Sequence, residues 1–415
     1  MQVFFIYALS RLWALVLFML IARQQQVNPW GEQAPSYLDF ISFWDSGWYK
    51  QISHSGYPRE LPQDQNGTVL ENPWAFYPLF PMLVSIFYTG LGLSYQPVAA
   101  LLATASGFVA AYLIYRLFLL SLKMLEPAEE ESSASWLAES KESLALWALA
   151  AFAFLPVSPI LQVPYAESLN LIFLTGTLLL LMRARWWAAA GLAVFACLSR
   201  PVGVPLGATA GIYWLFAYCR LYRQYRAEQA EDKSLAGLAA NLLRALGSSW
   251  QQLVSALLIC AWALLWPLFA WLRTGRIDAY TATETAWRAS SLEPVLPWLL
   301  QAEKYFGAFG LPVLILLLLA FVLLLRSRLL ARYLHPLLIS WCALYGLYLF
   351  LFLNPQSSLF RLLLPLFPLC LALVAISTSR AYRVLLVLTG AVLQFGWLGW
   401  LWHWKPLPGG GDYPP

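Results

Sequence analysis

The feature that most constrains this chain is the recurrence of apolar runs long enough to cross a bilayer. Twelve can be marked, at roughly 3–22, 76–93, 97–122, 143–163, 166–182, 186–199, 202–219, 248–272, 307–326, 333–353, 361–378 and 384–402. Lipid offers no partner to a peptide group, so each run must satisfy its backbone within a helix or a closed barrel. The apolar residues are continuous within each run and do not alternate, so helices are expected and a barrel is not. Composition agrees: 60% of residues are hydrophobic and 11% charged, against about a quarter charged in a soluble domain. The sequence predicts an all-α polytopic membrane bundle, one integral-membrane domain over 1–415, with about eleven to twelve transmembrane or re-entrant helices.

The first run, Val3 to Ala22, lacks a basic leader and a small-residue cleavage site, which predicts a retained helix and not a signal peptide. No repeat relates the two halves, which counts against a transporter built from duplicated bundles. The longest polar stretches are 23–75, 123–142, 220–247 and 273–306.

The net charge of +5 matters less than its placement. Arg183 with Arg185, then Arg220, Arg223, Arg226 and Lys233, then Arg326, Arg328 and Arg332, then Arg380 and Arg383 recur after every second run. Such clusters orient a membrane protein, and they face the cytoplasm. They are not a nucleic-acid footprint, so no nucleic-acid partner is expected. The connections at 23–75, 164–168, 199–203, 273–306 and 354–361, and the C-terminal tail, then face outward. The stretch 23–75 is the first extracytoplasmic loop and 273–306 the second large one.

This assignment raises a parity problem. Three runs separate the loop at 23–75 from Tyr165, yet both are assigned to the outer side. One of 76–93, 97–122 and 143–163 must therefore be re-entrant, broken or half-inserted. Pro78 and Pro81 open the first, and Pro156 and Pro159 interrupt the third.

Chemistry is expected in the first outer loop, where Leu38 to Tyr57 carry Asp39, Asp45, Lys50 and His54 among aromatic residues. Trp44, Trp48 and Tyr49 suit the membrane–water interface. Trp44, Trp48 and Ile52 are spaced i, i+4, i+8, which predicts an interfacial helix. Asp45 beside that stripe can serve as a general base toward a hydroxyl at the bilayer surface; alternatively it starts the helix as an N-cap. Asp39 reads as a second acid, a metal ligand or a solvated loop residue. The segment Asn72-Pro73-Trp74-Ala75-Phe76-Tyr77-Pro78-Leu79-Phe80-Pro81 reads as a helix start with an aromatic belt, or as a wall lining a lipid groove.

Charges at outer helix ends are less common than at inner ones, so two arginines stand out. Arg200, in Leu198-Ser199-Arg200-Pro201-Val202-Gly203, either binds a lipid phosphate with its fork of donors or staples two helices through Glu167. Arg361, in Leu359-Phe360-Arg361-Leu362, is a second phosphate ligand or a snorkelling interfacial residue. Arg11, halfway along the first run, must face the protein interior or a wet cavity.

Other signals carry less. The five cysteines lie in or beside apolar runs without metal-ligand spacing and read as small core residues. Asn66-Gly67-Thr68 matches a glycosylation acceptor, His54 reads as a structural loop residue, and Glu126 to Glu131 as a solvated acidic run.

Taken together, Trp44-Asp45-Ser46-Gly47-Trp48-Tyr49 with Gly56-Tyr57, Ala75-Phe76-Tyr77-Pro78-Leu79-Phe80-Pro81, Tyr165-Ala166-Glu167-Ser168-Leu169 and Ser199-Arg200-Pro201-Val202-Gly203 resemble the PIG-V-type mannosyltransferases. The resemblance covers roughly the first half of the chain and returns at Phe360-Arg361-Leu362-Leu363-Leu364-Pro365. It implies a glycosyltransferase of GT-C type that inverts the anomeric centre and takes its sugar, mannose by family habit, from a polyprenyl-phosphate donor of dolichyl or undecaprenyl type. Carried over, Asp45 is the catalytic base and Arg200 and Arg361 bind the donor phosphate. Trp44, Trp48, Tyr49, Lys50, Tyr165 and Glu167 line the substrate site. The acceptor would be a lipid-linked or other glycan. The resemblance implies a site facing the periplasm in a bacterial inner membrane, or the lumen of the endoplasmic reticulum in a eukaryote. No dense acidic cluster is present, so neither a metal nor another cofactor is expected. Two other classes compete: a lipid or solute transporter using Arg11, Glu167 and Arg200 as a path, and a non-catalytic subunit whose outer loop docks a partner.

Overall fold

The computed structural model describes residues 1–125, 140–229, 234–288 and 293–406. The acidic run Glu126 to Glu131, Lys233 and the tail beyond 406 lie outside them. Among the described residues the chain is helical, with no strand beyond two isolated bridges, Asn28 with Gly31 and Gln63 with Val69. The helices are α1 (Gln2–Ala22), α2 (Tyr37–Phe40), α3 (Ser46–Ser55), α4 (Leu79–Leu91), α5 (Tyr95–Met124), α6 (Lys141–Ala153), α7 (Glu167–Met182), α8 (Trp186–Ser199), α9 (Gly203–Glu228) and α10 (Leu235–Trp262). There follow α11 (Leu265–Thr274), α12 (Ala279–Arg288), α13 (Leu296–Phe306), α14 (Gly310–Leu325), α15 (Arg328–Tyr333), α16 (Pro336–Phe352), α17 (Leu359–Leu362), α18 (Leu369–Ala375) and α19 (Arg380–Trp397).

Five helical stretches are long and apolar enough to cross a membrane: Gln2–Ala22, Tyr95–Met124, Leu235–Thr274, Leu296–Tyr333 and Arg380–Trp402. On α14, Leu311, Ile315, Leu316 and Leu319 are all exposed, an arrangement that suits lipid and not water as the surrounding solvent. Several helices start where a serine caps them. Ser140, Ser234, Ser327 and Ser379 each accept the backbone N–H three residues on, which satisfies one of the orphan donors of a first turn.

Three of the expected boundaries differ. The span expected at 361–378 is broken into α17, a 3₁₀ turn at Leu364–Leu366 and α18, because Pro365 and Pro368 bring no N–H and crowd the preceding turn. The polar connection 220–247 is mostly helix: α9 runs on to Glu228 and α10 begins at Leu235, joined by Arg244, which sits 4.1 Å over the Tyr225 ring and 3.2 Å from Glu228. Within the stretch 273–306, the described residues include the helices α12 and α13.

Of the three runs in the parity problem, α4 is the one that stays at one end of the bundle. Its 13 residues reach about 20 Å at 1.5 Å each, and both its ends stay beside α3. Pro81 accepts the Ser53 hydroxyl at 2.9 Å, while Tyr88 donates to Ser53 and stacks on His54 at 5.1 Å. At the next helix start Tyr95 again meets His54, and Gln96 donates to Asp39. The chain thus enters and leaves α4 at the same end of the bundle. Then α5 runs to the opposite end, where Ser121 donates to Tyr333 and accepts from His335. There Lys123 meets Glu142 at the start of α6, and the chain returns to Tyr165.

That return is made partly in irregular backbone. α6 stops at Ala153, ahead of Pro156 and Pro159, and leaves carbonyls with no helical partner in the bundle interior. Arg11 answers them, donating from Nη1 to Ser158 O at 2.6 Å and from Nη2 to Ala153 O at 3.1 Å. Gln394 adds a bond to Leu155 O. Arg11 faces the interior as expected, and its task there is to satisfy a broken helix.

Candidate functional site

The connections 23–75, 164–168, 199–203 and 354–361, assigned from charge to one side, meet at one end of the bundle. Their contribution begins at Trp44, whose φ of +59° costs on the order of 1–3 kcal/mol for a bulky residue. The surroundings hold it there. Trp44 Nε1 donates to Trp402 O and Trp402 Nε1 donates to Phe40 O, each at 3.0 Å, and Trp30 packs 4.7 Å away. After this reversal the Asp45 N–H donates to Tyr165 Oη at 3.0 Å. Asp45 then occupies the N-cap position of α3, but its side chain makes no capping bond. The carboxylate instead meets Arg361, with Oδ2 2.5 Å from Nη2.

Four charged residues form a chain from there. Arg361 Nη1 lies 3.8 Å from Glu167 Oε1, and the same oxygen accepts from Arg200 Nη2 at 2.9 Å. The helix staple weighed from sequence therefore exists, but it is one link of Asp45–Arg361–Glu167–Arg200. Arg361 also sits 5.3 Å over the Tyr165 ring. Burial disfavours the charge on Arg361, yet Asp45 and Glu167 more than offset it, so its pKa is raised above the ordinary guanidinium value. Arg200 behaves likewise through Glu167. Burial, and after it the Asp45 charge, pushes the Tyr165 phenol well up, so Tyr165 stays a neutral donor. An isolated guanidinium would be expensive at this depth; the carboxylates make it tolerable.

The chain of charges is not fully satisfied. Arg361 Nε and Nη1 and Glu167 Oε2 are buried without a hydrogen-bond partner, a costly arrangement for charged groups. These residues line a cavity of about 150 Å³ that Arg200, Glu284, Arg288 and Tyr348 also line. The volume equals roughly five waters at about 30 Å³ each. Asp45 reaches this cavity only through Arg361. Beyond Arg361 the character changes: Leu364 lines both this cavity and an apolar groove of about 430 Å³, walled by Phe360, Leu363, Phe367, Leu373 and Trp397. A charged hollow and an apolar groove thus lie side by side.

Among the residues singled out from sequence, Asp45, Tyr165, Glu167, Arg200 and Arg361 are brought together. Tyr49 is buried beside them, its ring 6.1 Å from Tyr165. Trp48 stacks on Phe76 at 5.9 Å and meets Trp287 edge-on at 5.3 Å, which packs α3 against the 72–81 segment and α12. Two of the expected residues stand apart from this group. Trp44 lies before the interfacial helix and packs behind the site, because its reversed backbone points it toward Trp402. Lys50 is exposed, because α3 turns Tyr49 and Ile52 inward and carries position 50 to the other face. Asp39 is also apart, accepting from Ser36 Oγ and Gln96. His54 lies in the last turn of α3, with Nδ1 2.8 Å from Lys50 O, a structural role. Among the described residues no three His, Cys, Asp or Glu side chains come close enough to hold a metal ion.

Sequence reasoning missed Glu284 and Arg288, a pair 3.6 Å apart on α12. Their one available signal was an i, i+4 acid–base pair flanking Trp287 in an outer stretch. α12 is fastened to the first loop by Asn72, which exchanges hydrogen bonds with Thr283, and by Trp287 Nε1 donating to Asn72 O.

No family model matches the chain, and a search of curated proteins returns no match.

Proposed function

We propose that this chain is an inverting glycosyltransferase of GT-C type with about eleven membrane passes. It moves a sugar, mannose by family resemblance, from a polyprenyl-phosphate donor to an acceptor glycan or glycolipid at the membrane surface. The observation that carries the reading is the set of unpartnered polar atoms around the cavity. Arg361 has two idle donors, which call for an anion, and Glu167 has an idle acceptor, which calls for a hydroxyl. A glycosyl phosphate offers both on one molecule, and the adjoining apolar groove suits the lipid that carries it.

The chemistry follows from the contacts. A donor phosphate takes the idle Nε and Nη1 donors of Arg361, shares its positive charge, and so loosens the Asp45 contact and leaves that carboxylate available to the acceptor. The Asp45 carboxylate takes the proton of an acceptor hydroxyl as that oxygen attacks the anomeric carbon from the face opposite the phosphate. The carbon–phosphate oxygen bond breaks, its electron pair stays on the polyprenyl phosphate, and Arg361 with Arg200 stabilises the added negative charge. The lipid delivers the donor to the site, so no nucleotide-binding fold is required.

The test is transfer of labelled sugar from a synthetic polyprenyl-phosphate donor by purified protein in lipid, together with mass spectrometry of membrane glycolipids and glycoproteins with and without the protein. Donor turnover and a missing glycan are expected. Flux of lipid or solute across liposomes without any donor sugar, and no turnover, would replace this reading with the transporter.

A further inference from the structure

The charged cavity has two ends, and the mechanism above uses only one. Its other end is formed by α12, which contributes Glu284 and Arg288, and by α16, which contributes Tyr348. An i, i+4 acid–base pair on a helix is ordinarily a solvated surface pair worth a few tenths of a kcal/mol. This one is placed differently. Each side chain keeps 22% of its surface accessible, and both line the same hollow as Arg361 and Glu167.

The helix that presents them is held from both sides. Asn72 and Thr283 exchange hydrogen bonds, Tyr77 and Tyr280 share one at 3.1 Å, and Asn354 donates to Arg288 O at 3.2 Å. The last tie comes from the connection that also carries Arg361. Burial raises the pKa of the Glu284 carboxyl, with Arg288 opposing, so the group is poorly served by its present neighbours. A carboxyl, a guanidinium and a tyrosine ring converging on a headgroup-sized hollow are suited to a polyhydroxylated ring: hydroxyls bond to the charged groups and a sugar face lies on the aromatic.

We propose that Glu284, Arg288 and Tyr348 form the sugar-binding end of the cavity, selecting a glycosyl headgroup whose phosphate occupies the Arg361 and Arg200 end. This assignment rests on the transferase reading. It makes Glu284 a specificity-determining residue, not a catalytic one, and it gives the second large outer stretch a role in donor choice.

The experiment compares binding of two probes, a polyprenyl phosphate bearing mannose and the same lipid phosphate without sugar, to the full chain in detergent. Wild type is measured beside Glu284→Gln and Glu284→Asp, each checked for a cooperative thermal transition no lower than that of wild type. Losing hydrogen bonds from a charged group costs about 1.5–3 kcal/mol, or about ten- to a hundredfold. Glu284→Gln is expected to weaken the sugar-bearing lipid by at least about tenfold and to leave the bare lipid phosphate unchanged. Equal weakening of both probes, or of neither, overturns the assignment while the transferase reading stands. Wild-type protein that binds neither probe overturns the transferase reading, and this assignment with it.

Discussion

Asp45 and Arg361, 316 positions apart in the chain, form a contact of 2.5 Å between Oδ2 and Nη2. It joins the first polar loop to the last broken helix and defines the site. It also means that without a ligand the proposed base is occupied by the proposed phosphate ligand. A phosphate on the idle Nε and Nη1 donors shares the guanidinium charge with Asp45 and weakens that contact, so binding of the donor and release of the base are linked events.

The first prediction concerns that linkage. Removing Arg361 strands the Asp45 carboxylate at a largely buried position, while Glu167 keeps Arg200. Arg361→Ala should lower stability by about 3–5 kcal/mol, the usual cost of breaking one side of a buried pair. The double variant Asp45→Asn with Arg361→Ala should lose less than the sum of those two single variants, by about 0.5–3 kcal/mol. Chemical denaturation of the four proteins measures this coupling, and strict additivity would show that the pair is not energetically joined.

A second prediction concerns Arg11. Arg11→Met takes the guanidinium donor from the Ser158 carbonyl and leaves the Ala153 carbonyl with the Ser158 hydroxyl alone. Each unsatisfied group costs about 1–3 kcal/mol, so the thermal transition should fall markedly while donor affinity in the surviving folded fraction is retained. A variant of normal stability with altered flux or binding would instead give Arg11 the functional role weighed from the sequence.

A third prediction is a pH dependence from Glu284. Its pKa is raised in the folded protein, so folding favours the protonated form. The associated cost is absent below the ordinary glutamate value of about 4.3 and grows as pH rises through the raised folded value. Glu284→Gln removes this cost. The variant should therefore gain thermal stability over wild type as pH increases from 4 toward 7, with the difference levelling off above the folded pKa. A constant difference across that range would contradict the shift.

These residues also show what could be read in advance. Arg200 and Arg361 were legible because arginines at outer helix ends break the orientation pattern, and Asp45 because it interrupts an aromatic, interfacial stretch. Glu284 and Arg288 were not, since a charged pair in a polar connection is ordinary until packing carries it into a cavity. Counting gave the expectation that one run among three does not cross, but not which of the three stays at one end of the bundle. Prolines marked two candidates, and the answer lay in tertiary contacts from Ser53 and His54 to both ends of α4. Nor could the sequence anticipate that Trp44 would adopt a reversed backbone, which depends on Trp402 far along the chain.

The most direct measurement pairs donor binding with single-turnover transfer in Asp45→Asn. Removing the carboxylate's charge frees Arg361, so the variant should bind polyprenyl-phosphate sugar at least as tightly as wild type. Its transfer step should fall by about 10²–10⁴-fold, the contribution of a positioned general base. Transfer within about tenfold of wild type, or donor binding lost along with transfer, would contradict the account of Asp45 as a base held in reserve by Arg361.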